Sequence, residues 1–284
     1  MQAQAEYLRP ALDHLVINAR DQLDAAAGAY TRLGFHLTPR GYHTLGSINH
    51  LAVFGDNYLE LVGFPPKKPD VRPELAHARP GLNGYVFRTH DAEALYRRLR
   101  RRGVAVDPPS EFSRPVDVDG QQCDARFQTV RLGASEFPAG RVYFCRHLTP
   151  DLVWRPAWQT HPNGATAVVA AVWVVQDREP YVRALGRLVG AQVQRRETQY
   201  LAFSVGATTI ELYDYARFGE RYGSLAIGAG ERADFMACIR VRTTSLDVVR
   251  AYLKANRVAF DAGPSGRIAV PSAEAFNVVV EFCE

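Results

Sequence analysis

The sequence predicts an α+β protein built from four copies of one small unit. The order of elements strand-helix-strand-strand-strand (βαβββ) occurs four times along the 284 residues. Each predicted helix begins near an Asp or a Ser that can cap its free amides, and three of the four helices end at a glycine. A chain of this length is typical of about two domains. We therefore expect two domains of two units each.

The first unit has the clearest pattern. Its first strand alternates along residues 12–17, a helix covers residues 22–33, and Gly34 follows the last helical turn. The remaining strands are predicted at residues 35–38, 49–54 and 58–62, and a tight turn at Gly55-Asp56-Asn57 joins the last two.

The other three units repeat this order. The second unit has a strand at 84–89, a helix at 92–102 and strands at 127–132 and 141–145, and residues 107–126 are predicted to form a long proline-containing loop. The third and fourth units have first strands at 165–175 and 235–241, helices at 180–188 and 246–255, and final strands at 200–205, 208–213, 267–270 and 276–282. The polar, proline-rich segment 149–164 predicts a boundary between domains at 8–150 and 163–284.

Composition and charge exclude several classes of protein. Hydrophobic residues make up 47% of the chain and charged residues 23%, which excludes a disordered chain and a coiled coil. The net charge of +4 comes from dispersed residues, so we expect no nucleic-acid partner. No apolar run is long enough for a membrane helix, and the first residues lack a secretory signal. The four cysteines are far apart, which predicts reduced thiols, no cysteine zinc site and a cytoplasmic location.

Several short motifs resemble one superfamily. They are LDHLV (12–16), LGF (33–35), GDNYLELVG (55–63), FCRHLTP (144–150) and HPNGA (161–165). Together with the fourfold repeat, they make the chain similar to the vicinal oxygen chelate superfamily, and more narrowly to its glyoxalase-like domain proteins. The resemblance implies two domains like those of glyoxalase, bleomycin-resistance proteins and extradiol dioxygenases. In such domains paired units form a cup, which often holds a divalent metal ion that chelates neighbouring oxygens of a small substrate.

Two residues of the first unit are candidate metal ligands. By strand alternation His14 and Glu60 project into one cavity if both strands line the same concave sheet. An imidazole and a carboxylate suit Fe²⁺, Mn²⁺, Ni²⁺ or Zn²⁺, and Glu60 is also a candidate catalytic residue that moves a proton. The alternative is a hydrogen-bonded histidine and a paired carboxylate without metal.

The resemblance implies that the remaining ligands come from the partner unit. Gly84 cannot serve, but His147 shares a strand face with Tyr143 and Cys145 and is the candidate third ligand. If instead the first unit packs against the third, Glu211 would complete the site.

Four further residues are candidates for binding substrate. His43 and His50 flank a loop at 46–49, which includes Asn49 and is expected at the mouth of the cavity, where the alternative is simple exposure. Arg114 lies in the long insertion, and its planar guanidinium suits a carboxylate substrate unless it is an ordinary surface arginine.

The second domain departs from this ligand pattern. Alignment of the helix starts places Ala170 and Ala237 at the position of His14, although Glu211 and Glu281 remain on the fourth strands. Two carboxylates without a histidine make a poor transition-metal site. We therefore expect a degenerate domain that supports or covers the first one.

The leading functional hypothesis is a metal-dependent enzyme that acts on a small oxygenated compound, as a lyase or isomerase of the glyoxalase type or as a dioxygenase. The alternative is a metal-free protein whose cup binds or sequesters a small molecule. Superfamily cups often assemble as dimers, so the resemblance also implies a homodimer, and a scaffolding role stays open. Membership of the superfamily does not fix a reaction.

Overall fold

The strands of the chain form two mixed sheets of eight strands each. The structure is a computed structural model and describes residues 11–118, 120–190, 193–226, 233–263 and 266–284. Within these ranges, no helix is long and apolar enough to cross a membrane.

The first sheet contains the first two βαβββ units. In chain order its elements are β1 (Leu12–Arg20), α1 (Leu23–Arg32), β2 (Gly41–Tyr42), β3 (Ile48–Val53), β4 (Tyr58–Gly63), the short α2 (Pro73–His77), β5 (Gly81–Arg88), α3 (Ala92–Arg101), β6 (Ser110–Val118), β7 (Gln121–Arg131) and β8 (Arg141–His147). The side chain of Asp91 caps α3 by accepting a hydrogen bond from the amide of Ala94.

The second sheet contains the third and fourth units. Its elements are β9 (Ala165–Val174), α4 (Glu179–Val189), β10 (Val193–Glu197), β11 (Tyr200–Val205), β12 (Thr208–Tyr213), α5 (Tyr215–Tyr222), β13 (Phe235–Thr243), α6 (Leu246–Ala255), β14 (Asp261–Ala262), β15 (Ile268–Val270) and β16 (Val279–Cys283). The α+β class and the fourfold repeat are therefore confirmed.

Strand order determines which units share a cup. The first sheet runs β2-β3-β4-β1-β5-β8-β7-β6, and the second has the same order of equivalent strands. The antiparallel pair β1–β5 joins the first unit to the second, and β9–β13 joins the third to the fourth. Glu211 consequently belongs to the second cup and does not join His14.

The prediction of a loop over residues 107–126 is wrong. Most of this segment forms the hairpin β6–β7, with Pro115 inside β6. A proline is tolerated there because β6 is the edge strand, where a missing amide leaves no ladder bond unmade. The amide of Thr44 donates to the carbonyl of Ser113 at 2.9 Å, so the hairpin folds over to the opposite rim and deepens the cup.

One apolar core runs across the helix-covered faces of both sheets. Phe35 of the first unit stacks on Phe282 of the fourth, with ring centroids 6.0 Å apart. Tyr85 meets Trp173 edge to face across the same boundary. The helix-covered faces therefore pack together, whereas the other face of the first sheet is free to line a cup. The division into domains at 8–150 and 163–284 stays a prediction.

Candidate active site

The two central strands of the first unit bring His14 and Glu60 together. In the parallel pair β1–β4, His14 lies opposite Tyr58 and Val16 lies opposite Glu60, so both side chains project from the same face. The Nε2 of His14 is 3.6 Å from Oε2 of Glu60. His14 is 3% exposed and Glu60 is 8% exposed, so the pair is buried at the bottom of the cup.

Asp13 belongs to this group, contrary to strict strand alternation. The register of β1 against β5 shifts between Leu12 and His14, which marks a β-bulge at Asp13. Leu12 packs in the core under the helices, while Asp13 and His14 both turn toward the cup. The carboxylate Oδ1 of Asp13 accepts a hydrogen bond from Nδ1 of His14 at 2.6 Å.

This contact decides which nitrogen of His14 is available. Burial alone raises the pKa of Asp13, but the charge of His147 and hydrogen bonds from His14 and His147 outweigh it and keep the carboxyl ionised. An ionised Asp13 favours the form of His14 that carries a proton on Nδ1. The other ring nitrogen, Nε2, therefore faces the carboxylate of Glu60.

Two aromatic residues fix the ring of His14. Tyr58 stacks on it with centroids 4.4 Å apart and planes inclined by 13°. The hydroxyl of Tyr143, on β8 of the second unit, lies 3.4 Å from His14 Nε2. The site is thus built from both units, as the resemblance implies for a cup.

Glu60 is held as a carboxylate by its polar neighbours. Burial acts to raise its pKa, but His14, His43 and a hydrogen bond from Asn49 lower it overall. The amide nitrogen of Asn49 donates to Oε1 of Glu60 at 2.8 Å and lies 3.2 Å from Nε2 of His43. Burial lowers the pKa of His43 to about 4, so this imidazole is neutral and can accept that bond.

His147 contacts Asp13 and is linked to His14 only through that carboxylate. Its Nε2 donates to Oδ1 of Asp13 at 3.0 Å, while its Nδ1 is buried without a hydrogen-bond partner. Tyr143, and not His147, contacts Nε2 of His14. Ligand atoms of Asp13, Cys145 and His147 also lie within 4.8 Å of one another, which makes them a second candidate donor set. Burial raises the pKa of Cys145 well above its ordinary value, so its thiol stays protonated.

Arg114 and His50 lie in contrasting places. Arg114, on β6, is 3% exposed, and its Nη2 is buried without a partner. No carboxylate of the described residues lies within salt-bridge distance of it. His50 is on the face of β3 opposite Asn49, and its Nδ1 contacts the carbonyl of Thr38 at 2.8 Å. The structure therefore brings Arg114 into the cup and leaves His50 under the helix side of the sheet.

The side chains of His14, Glu60 and Tyr143 lie at the inner end of a cleft. An inner pocket of about 30 Å³ is lined by His14, Tyr58 and Arg114, among others. A larger cleft of about 520 Å³ adjoins it, and His43, Glu60 and Tyr143 line both. The walls of the larger cleft mix apolar side chains with Arg72, Arg141 and other charged residues, so it can accept a small molecule with both apolar and anionic parts.

In the second cup an arginine lies between the two carboxylates. Glu211 pairs with Val172, and Ala170 lies two residues before Val172. In the first cup Glu60 pairs with Val16, and His14 lies two residues before Val16. Arg240 pairs with Ala170 across β9–β13 and binds Glu211 at 2.8 Å and Glu281 at 2.7 Å. The second cup therefore contains its own cation, consistent with a degenerate domain.

The register corrects the alignment of the fourth unit by one residue. Gly84 pairs with Val16, and the equivalent residue opposite Val172 is Cys238 and not Ala237. The one-residue error in the alignment assigned Arg240 to the wrong face of its strand, because a shift of one residue exchanges the two faces.

Sequence reasoning missed the roles of Asp13, Arg141 and Tyr143. Alternation along β8 placed Tyr143 on the face of His147, and the same alternation extends to Arg141. No comparable signal marks Asp13, because a bulge leaves no trace in the pattern of apolar residues.

Comparisons with known proteins agree with this architecture. A family model described as a glyoxalase-like domain matches residues 12–189. A search of curated proteins found no match. Among solved structures, a hypothetical protein from Staphylococcus aureus aligns with a TM-score of 0.69 and 13% identity over 96% of this chain and 99% of that chain.

Two enzymes have the same fold. A mutant 4-hydroxymandelate synthase from Streptomyces coelicolor aligns with a TM-score of 0.62 and 12% identity over 96% of this chain and 92% of that one. A fusion of a xylose isomerase-like TIM barrel and a 4-hydroxyphenylpyruvate dioxygenase aligns with a TM-score of 0.59 and 13% identity, over 96% of this chain and 48% of the fusion. At these identities the likeness concerns the fold alone.

Proposed function

The chain belongs to the glyoxalase-like domain family, and from this premise we propose that it is a metal-dependent enzyme acting on a small, acidic, oxygenated compound. One observation carries the proposal. Two buried potential ligand atoms, His14 Nε2 and Glu60 Oε2, face each other at 3.6 Å. These two atoms attract each other only through a shared proton or a bound cation, and the proposal assigns that place to a metal ion.

The residues present fit a divalent transition-metal ion. Imidazole and carboxylate donors suit Fe²⁺, Mn²⁺, Ni²⁺ and Zn²⁺, and such donors lie about 2.0 to 2.2 Å from a bound zinc ion. A separation of 3.6 Å lets both atoms reach one ion. When bound, the ion supplies a Lewis acid that stabilises negative charge on substrate oxygens.

The buried carboxylate of Asp13 supports His14 as a ligand. It accepts the Nδ1 proton of His14, an arrangement that commonly orients a metal-binding histidine and raises its basicity. His147 is proposed as a positioning residue, because its hydrogen bond and that of His14 reach the same oxygen of Asp13.

The other residues of the cup handle the substrate. Glu60 is ionised, so it can accept a proton from a bound substrate, and Asn49 fixes its orientation. Arg114 has an unpaired guanidinium and is proposed to bind the acidic group of the substrate. His43 and Asn49 are proposed to contact substrate oxygens at the boundary between the inner pocket and the cleft.

Metal analysis of single variants tests this proposal. Protein purified without added metal is expected to hold about one equivalent of a divalent ion by elemental analysis. His14→Ala and Glu60→Gln are expected to lose most of it, because each leaves only one strong ligand. His36→Ala is the matched control, since this imidazole is exposed and remote from the cup.

The outcome also separates the two functional classes. Metal loss in His14→Ala, with an unchanged circular dichroism spectrum, supports the metal-dependent function. Absence of metal in the wild type after supplementation with Mn²⁺ or Fe²⁺, together with unchanged uptake of small acids by His14→Ala, would overturn the proposal in favour of a metal-free binding protein.

A further inference from the structure

Arg141 is a half-buried cation of the cleft that has no salt-bridge partner among the described residues. It begins β8 and lines the larger cleft. Its Nε donates to Oδ1 of Asn83 at 2.9 Å, which fixes the plane of the guanidinium. Its Nη2 is buried without a hydrogen-bond partner, and no carboxylate of the described residues lies within salt-bridge distance. A buried donor without a hydrogen-bond partner is costly unless a ligand completes it.

A second arginine of this cleft, Arg72, is already satisfied. Arg72 donates from Nε to Glu74 at 2.6 Å and from Nη1 to Ser47 at 2.5 Å. The carboxylate of Glu74 is therefore engaged by Arg72. Burial lowers the pKa of Arg141 despite the offsetting charges of Tyr143, Glu74 and Glu60, a sign that its environment is poorly solvated.

Arg141 and Arg114 mark different parts of the cavity. Arg114 lines the inner pocket but not the larger cleft, whereas Arg141 lines the larger cleft but not the inner pocket. On β8, Arg141 is two residues before Tyr143, so it lies about 7 Å further along the same face than the residue that contacts His14. The walls of the larger cleft include the apolar side chains of Phe112 and Val62.

We propose that Arg141 is a second anion-binding residue and that the substrate is a dicarboxylate, with one carboxylate on Arg114, the other on Arg141 and an apolar segment between them. This inference rests on the proposed function, which assigns the inner carboxylate to Arg114. A guanidinium that donates from one edge to Asn83 keeps its Nη2 for a carboxylate oxygen.

Calorimetric titration with simple acids tests the inference. The probes are the linear dicarboxylates from succinate to suberate and the linear monocarboxylates of the same chain lengths, added to the protein as purified. At one chain length or more, the dicarboxylate is expected to bind about tenfold tighter than its monocarboxylate partner. Arg141→Gln is expected to abolish that preference while leaving monocarboxylate affinity unchanged.

Three variants make the result specific. Arg114→Gln is expected to weaken both classes of acid, because it removes the site that they share. Arg141→Lys, which keeps the charge without the planar fork, is expected to retain part of the preference. Arg97→Gln removes the same charge from an exposed position on α3 and is expected to change nothing.

Equal affinities for both classes, or an unchanged preference in Arg141→Gln, would overturn the inference. Metal content is measured on the same samples. Normal metal content without a dicarboxylate preference would overturn only the role of Arg141. Absence of metal with the preference intact would overturn only the metal-dependent function.

Discussion

The chemistry of the first cup depends on a carboxylate that faces two imidazoles. Asp13 is fully buried, and one of its oxygens accepts hydrogen bonds from both His14 and His147. Arg88 approaches its other oxygen at 3.4 Å. Through these contacts Asp13 favours a proton on Nδ1 of His14 and leaves Nε2 facing Glu60.

Replacement of Asp13 by Asn is expected to weaken metal binding without removing a ligand. The amide can no longer hold a negative charge against His14, so the preferred tautomer and the basicity of Nε2 both change. We expect Mn²⁺ affinity to fall about 10- to 100-fold, measured by calorimetric titration of metal-free protein. The control is Asp24→Asn, an exposed carboxylate on α1, which should bind as the wild type does. Unchanged Mn²⁺ affinity in Asp13→Asn would show that the hydrogen bond between Asp13 and His14 plays no part in metal binding.

At the level of single strands, β1 and β13 present different partners to a buried carboxylate. Each lies at the centre of its sheet, and each faces a carboxylate on a neighbouring strand. On β1 the partner of the carboxylate is the imidazole of His14, whose Nε2 lacks a strong partner of its own. On β13 it is Arg240, whose guanidinium spans Glu211 and Glu281. Arg221 and Arg267 also contact Glu281, so the second cup is electrostatically complete without a bound ion.

Arg240→Met is expected to destabilise the fold. The change leaves Glu211 and Glu281 buried without their shared counter-charge, a situation that typically costs about 3 kcal/mol or more. Urea unfolding followed by circular dichroism measures the loss. Arg242→Met, two residues along the same strand and exposed, should stay within about 0.5 kcal/mol of the wild type. Equal losses in both variants would contradict the assigned role of Arg240.

For the molecule as a whole, the sequence predicts the repeat and much of the first cup. Alternation along short strands was enough to place His14 and Glu60 on one face, because the hydrophobic pattern fixes strand register. It could not reveal the bulge at Asp13 or the hairpin that carries Arg114 into the cup. Nor could it reveal which units pair, since that depends on contacts distant in sequence.

Buried ionised carboxylates make the whole fold sensitive to acid. Burial acts to raise the pKa of Glu281, but Arg240 and Arg221 lower it below its ordinary value of 4.5. A lowered folded-state pKa contributes stability above the unfolded-state value and loses it as the pH falls through the folded-state value. We therefore expect the free energy of unfolding to be level at neutral pH and to decrease below about pH 4.5.

Glu281→Gln isolates that contribution. The variant should be less stable than the wild type at pH 7, and its stability should decrease less on acidification, in urea unfolding at a series of pH values. A decrease as steep as that of the wild type would mean that Glu281 does not contribute to the acid sensitivity.

Crystals soaked in Mn²⁺ give the most direct test of the metal assignment, because anomalous scattering locates the ion without reference to activity. One anomalous peak is expected, within bonding distance of both His14 Nε2 and Glu60 Oε2. A peak among Asp13, Cys145 and His147, or no peak in the first cup, would contradict the metal assignment.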